Sequence, residues 1–135
     1  MPDEKNNDFL KAVRLYNTAD GMCTFQLGKI PANMRIEVSY FFGQTKIDNY
    51  EKSPHPAPRT QYVVTLKGKL KFTVSNGDTF IIEPGTILIA EDVEGPGHSW
   101  EIVEGTQWER LYIPYTMNTS SLFIPDSHSI LDRHK

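Results

Sequence analysis

KLKFTVSNGDTFIIEPG, residues 69–85, decides the fold. Leu70, Phe72 and Val74 alternate with Lys69, Lys71 and Thr73, a period of two that puts the apolar side chains on one face of a strand. Asn76-Gly77 follows, and then Phe80 to Ile82. Asn-Gly supplies positive φ at two successive turn positions, which predicts a tight type I′ hairpin. Pro84-Gly85 ends the second arm.

Reading outward, the TILIA run from Thr86 to Ala90 is another strand, and Glu94-Gly95-Pro96-Gly97 is a loop. Trp100 to Val103, a turn at Glu104-Gly105, and Trp108 to Ile113 predict a last pair of strands. On the other side, Thr24 to Ile30 has strand propensities, Pro31 to Asn33 is a turn, and Arg35 to Phe42 alternates polar with apolar residues. Phe9, Leu10, Val13 and Tyr16 fit either a short helix or a strand. Many short strands separated by turns imply an all-β barrel or sandwich.

The 135 residues make one domain. A net charge of −3 offers no positive field to gather phosphate backbones, so nucleic acid is not an expected partner. No apolar run approaches the roughly 20 residues of a spanning helix, so no membrane partner is expected. MPDEKNND is polar and acidic where a signal peptide is basic and then apolar, which predicts a cytoplasmic protein. The single Cys23 fits that compartment, and its neighbours Met22 and Phe25 suggest a packed thiol.

The stretch densest in site residues is SPHPAPRTQYVVTLKGKL, residues 53–70. Strand periodicity places His55, Ala57, Arg59, Gln61, Val63 and Thr65 together, with Tyr62 and Val64 opposite. An imidazole, a guanidinium and an amide in a row suit a pocket or a solvated exterior, and periodicity leaves both open. Arg59 can equally salt-bridge to Glu37 or Glu51. His128 and His134 lie in a polar tail, and Lys67, Lys69 and Lys71 read as a solvated strand face.

Here the chain resembles the cupin superfamily, whose first motif is G-x-x-x-x-x-H-x-H-x-x-x-E-x-x-x-x-x-x-G. With His55 as the first histidine, Ala57 takes the second, Gln61 the glutamate and Gly68 the closing glycine, while Asn49 stands at the leading glycine. The second motif resembles EPGTILIAEDVEGPGH: Pro84-Gly85 opens it, Thr86 replaces an aspartate, Gly95-Pro96-Gly97 makes the turn, and His98 takes the histidine position. HPAPR-x-QYVV is similar to a group of short cupin-domain proteins without an assigned activity, often with a segment such as DGMCTF upstream.

The resemblance implies a cupin double-stranded β-helix, a jelly-roll barrel over residues 35–115. An N-terminal extension, 1–34, would add strands packed on the barrel, and 116–135 would be a short C-terminal tail. It also implies a homodimer, with Met34 to Phe42 and the tail as contacts. Cupins hold Fe, Mn, Ni or Zn through three imidazoles and a carboxylate. The corresponding set here is His55, Ala57, Gln61 and His98, of which only His55, Gln61 and His98 carry donors. Two imidazoles and an amide make a poor metal site, so no tightly bound cofactor is expected.

The same groups suit an organic ligand. Arg59 pairs with an anionic oxygen, Gln61 orients a carbonyl or hydroxyl, and His55 or His98 moves a proton. Glu37, Glu91 and Asp92 are further pocket candidates, and Trp100, Trp108 and Tyr112 candidate walls. The leading expectation is therefore an isomerase, epimerase, dehydratase or cyclase acting on a small polar or anionic substrate, with His55, His98 and Arg59 catalytic. The alternatives are a metal-dependent dioxygenase using His55 and His98, and a non-catalytic metabolite-binding protein.

Overall fold

The computed structural model describes residues 8–116 and 121–126, so His128, Ile130, Leu131 and His134 lie outside the described residues. In chain order the elements are β1 (Phe9–Asn17), β2 (Cys23–Pro31), β3 (Phe42–Gln44), the single-turn helix α1 (Asn49–Lys52), β4 (Gln61–Thr73), β5 (Thr79–Ile82), β6 (Thr86–Ala90), β7 (Ser99–Pro114) and β8 (Ile124–Pro125). The fold is all-β. Its eight strands form one mixed sheet in the order β3-β7-β4-β6-β1-β2-β8, with β5 attached to β4.

β4 organises the sheet because it is long enough to serve three partners. β7 runs antiparallel along β4 between the Gln61↔Pro114 and Thr73↔Ser99 pairs. The opposite edge is divided: Gln61 to Val64 pair with β6, and Leu70 to Thr73 pair with β5. β1 adds to β6 in parallel and to β2 antiparallel. The first 34 residues thus contribute β1 and β2 directly to this sheet.

The period of two then sorts side chains into two cores. Val13, Leu15, Val63, Phe72 and Leu88 pack on one face with Cys23, Trp100 and Trp108. Their chain neighbours Ala12, Tyr62 and Ile89 pack on the other face with Ile30 and Tyr115, where Phe123 covers them. The first face is called inner below, the second outer. The Tyr62 hydroxyl donates to the Ser121 carbonyl at 3.2 Å, tying the covering segment to the outer face.

Three local expectations are corrected. The hairpin after Val74 is not type I′, because Asn76 does not have positive φ whereas Gly77 does, at 93°. Gly77 N–H donates to the Val74 carbonyl, and Asp78 N–H is taken by the Asn76 Oδ1 at 2.9 Å. That side-chain acceptor favours a turn through Ser75 and Asn76 with Gly77 left-handed, one residue longer than expected. The expected pair Trp100–Val103 and Trp108–Ile113 is one strand, β7, whose Gly105 (φ 80°) lies in a bulge instead of a reversal. Finally, residues 35–41 are irregular. Only Phe42 to Gln44 pair with β7, and Ser39 N–H reaches the Pro114 carbonyl at 2.9 Å.

Candidate functional site

A cavity of about 530 Å³ opens against the inner face, within the size range of small-molecule sites. His55, Ala57, Arg59, Gln61 and Val63 all line it, as do His98, Trp100, Trp108 and Tyr112. The parity expected from strand alternation therefore holds through Gln61 and Val63, although residues 55–60 precede β4 as an irregular segment. Pro56 and Pro58 also reach the cavity for that reason.

The two histidines are held side by side by main-chain bonds. His55 N–H donates to the His98 carbonyl and His98 N–H to the His55 carbonyl, both at 2.9 Å. Ala57 N–H adds a third tie to the Asp92 carbonyl. This close approach requires Gly97: its φ is 75°, and a Cβ there would lie 2.0 Å from the His55 carbonyl carbon and oxygen. The imidazole centroids end 5.2 Å apart.

Behind His98 stands Asp92, fully buried, with Oδ2 at 2.6 Å from His98 Nδ1. A carboxylate only accepts, so Nδ1 carries a proton, and in the neutral ring the lone pair is on Nε2. Nε2 makes no hydrogen bond among the described residues and is left to the cavity that the ring lines. His55 is fixed likewise, with Nδ1–H donating to the Ser53 carbonyl at 2.7 Å. The buried Cys23 thiol donates to the same Asp92 Oδ2 at 3.3 Å. Burial, then the negative charge of Asp92, pushes the Cys23 pKa far up, so it is a thiol.

Arg59 lies exposed at the cavity with Nη1 donating to Gln61 Oε1 at 3.2 Å. No carboxylate pairs with it among the described residues. Glu51, one of its expected partners, instead accepts from Arg110 Nη2 at 2.9 Å and from Asp48 N–H at 3.0 Å. Arg110 is itself buried, donates to the Trp108 carbonyl and the Tyr112 hydroxyl, and lies 4.5 Å over the Trp108 ring.

Three candidate residues stand elsewhere. Glu37 is exposed in the irregular segment before β3 and does not line the cavity. Glu91 faces outward, because it alternates with the inward Ala90 and Asp92, and takes Arg14 Nε at 2.7 Å and the Tyr115 hydroxyl. Asp92 does point inward but reaches the cavity only through His98. Sequence reading did not single out Arg110, though Trp108 and Tyr112 are both cavity-lining and alternation places residue 110 between them on that face. The Cys23–Asp92 contact, 69 residues apart in the chain, has no local signal.

The donor set His55, Gln61 and His98 does not fit a divalent cation. Ala57 has no donor, and the Gln61 amide oxygen is occupied by a guanidinium, which repels a cation at that range. The arrangement suits an anionic or polar organic molecule: a cationic fork at Arg59, a lone pair at His98 Nε2 and aromatic walls. Comparisons with family models, with curated proteins and with solved structures found no match to this chain.

Proposed function

We propose that this chain is a cupin-type enzyme whose sheet closes into a barrel around the cavity, and that it moves a proton on a small polar or anionic organic substrate without a tightly bound metal. The observation that carries this reading is the Asp92–His98 pair, buried on the Asp92 side and presenting Nε2 to a cavity that also holds Arg59. Arg59 anchors the anionic end of the substrate, and the Gln61 amide orients a carbonyl or hydroxyl. His98 Nε2 accepts the proton from carbon or oxygen, and Asp92 stabilises the imidazolium that forms. His55, fixed 5.2 Å away centroid to centroid, assists proton return. The exposed Met34, Val38, Tyr40 and Phe41 support pairing of two copies through that segment, which light scattering at one chain mass would dismiss.

The test begins with chelator-treated protein and a panel of small hydroxy acids, keto acids and sugar acids, from which thermal-shift binders are taken into D2O. Proton NMR should show deuterium entering a binder at the carbon next to its carbonyl, unaffected by chelator and abolished by His98→Gln. Binding in the cavity with no exchange would leave a binding protein. Oxygen uptake that needs added metal, His55 and His98 would return the dioxygenase.

A further inference from the structure

The geometry points to a zinc site at Cys23, Asp92 and His98, on the side of the imidazole away from the cavity, that switches the His98 base off when occupied. One ligand atom from each residue lies within 4.8 Å of the other two, and all three residues are buried. Thiolate, carboxylate and imidazole together are a donor set for zinc. An unpartnered buried oxygen suits an ion, and one distance in the cluster agrees with it. Asp92 spends Oδ2 on both neighbouring donors, while Oδ1, also buried, has no hydrogen-bond partner among the described residues. The Sγ···Oδ2 separation of 3.3 Å is already close to the roughly 3.5 Å between sulfur and oxygen around tetrahedral zinc. The Nδ1···Oδ2 hydrogen bond must open, and rotation of the carboxylate toward Oδ1 allows that.

Proton accounting gives the functional consequence. Zinc replaces the Cys23 thiol proton, which leaves to solvent, and takes the Nδ1 lone pair, so the ring proton moves from Nδ1 to Nε2. No proton is lost from the imidazole. Its cavity-facing atom changes from acceptor to donor, and the base is silenced. The silencing rests on the acid–base reading above; metal binding does not.

The test uses full-length, metal-free protein titrated with cobalt(II) and then zinc(II). One equivalent of cobalt should bind with a thiolate charge-transfer band in the near ultraviolet and tetrahedral bands in the visible, all erased by zinc. Unbuffered titration should release one proton per zinc. Long-range nitrogen–proton NMR should show His98 changing from the Nδ1–H to the Nε2–H tautomer. Cys23→Ser, checked for folding by circular dichroism, should remove the charge-transfer band and weaken zinc by about 100-fold or more. Absence of stoichiometric binding, binding without the thiolate band, or an unchanged affinity in Cys23→Ser overturns the site. A tautomer shift in a protein that shows no proton exchange would keep the zinc site and refute only the enzymatic reading.

Discussion

Glu91 and Asp92 are consecutive carboxylates with opposite surroundings, and their difference separates the two faces of the sheet. Glu91 points to the outer face, where Arg14 and the Tyr115 hydroxyl occupy one oxygen each. Both oxygens are satisfied by groups with no connection to the cavity, so the arrangement is closed. Asp92 points to the inner face, where His98 and Cys23 share a single oxygen and the other has no hydrogen-bond partner among the described residues. Its main acceptor bond is to an imidazole that lines the cavity. The outer carboxylate ties strands together; the inner one bonds the imidazole of a side chain that lines the cavity. One step along the chain just beyond β6 accounts for the difference.

The strongest way to break this contrast is to neutralise each carboxylate in turn. Asp92→Asn removes the acceptor that holds Nδ1–H and should lower the proton-exchange rate of a bound ligand by roughly 10³- to 10⁴-fold, the scale at which a mis-set tautomer disables an imidazole base. Glu91→Gln should leave that rate within about threefold, since Glu91 touches no cavity group. Deuterium incorporation followed by NMR reads both. Comparable losses in the two variants would refute the assignment of separate roles.

A second comparison sets Arg110 against Arg14. Arg110 is 1% exposed and its partner Glu51 is 7% exposed, so Arg110→Met leaves a carboxylate in the cavity wall without its cation. That should cost about 3–5 kcal/mol in urea unfolding. Arg14 and Glu91 are only partly buried, and Arg14→Met should cost about 1 kcal/mol or less. Equal costs would mean that cavity water solvates Glu51 as well as bulk solvent does.

How much of this was legible in the sequence follows from how local each cause is. The alternation of Leu70, Phe72 and Val74 is a property of one strand, so their shared apolar face is legible without the pairing; the same period groups Gln61 with Val63 but leaves pocket and exterior open. His55, Arg59, Gln61 and His98 come together in one cavity because the 55–60 segment and the loop before β7 bond to each other. The spacing of the cupin-like motif hinted at that juxtaposition. Glu37 misled because, in the antiparallel register that pairs Phe42 with Tyr112, its segment runs past the Pro114 end of β7 and has no strand residues opposite it there. The turn at Asn76 was misread by one residue because the Asn76 side chain, not the Asn-Gly dipeptide alone, chooses the turn. The Cys23–Asp92–His98 cluster depends on β2 and the loop after β6 meeting across the core, a long-range outcome that no local spacing encodes.

Gly97 tests how the two histidines are kept together. Gly97→Ala adds a Cβ in a left-handed backbone 2.0 Å from the His55 carbonyl, so the main-chain bridge must part. The expected cost is about 1–3 kcal/mol, concentrated in the loop, with His55 and His98 amide exchange accelerated roughly 10- to 100-fold. Outer-face amides such as Ile89 should keep their protection relative to the global stability. Uniform acceleration throughout the sheet would show that the bridge supports the whole fold and not the cavity alone.

The smallest effect belongs to the outer face and appears only in alkali. Burial, and then the charge of Glu91, raise the Tyr62 pKa from its ordinary 10 to about 12. Tyr115 is pushed up further, by burial first and then by its hydrogen bond to Glu91. Both phenols are held neutral in the folded chain, whereas in the unfolded chain they ionise near 10. The folded state therefore binds more protons than the unfolded state above that pH, and stability falls as pH rises. The contribution is complete below pH 10 and declines as pH passes from 10 through about 12. Tyr62→Phe should lose the Ser121 hydrogen bond at neutral pH yet show a shallower decline in urea midpoint between about pH 9 and 11, the range in which an unfolded phenol of pKa about 10 ionises. An unchanged slope would place the alkaline sensitivity in Tyr115 alone, and an identical slope in Tyr115→Phe as well would remove the outer-face phenols from it altogether.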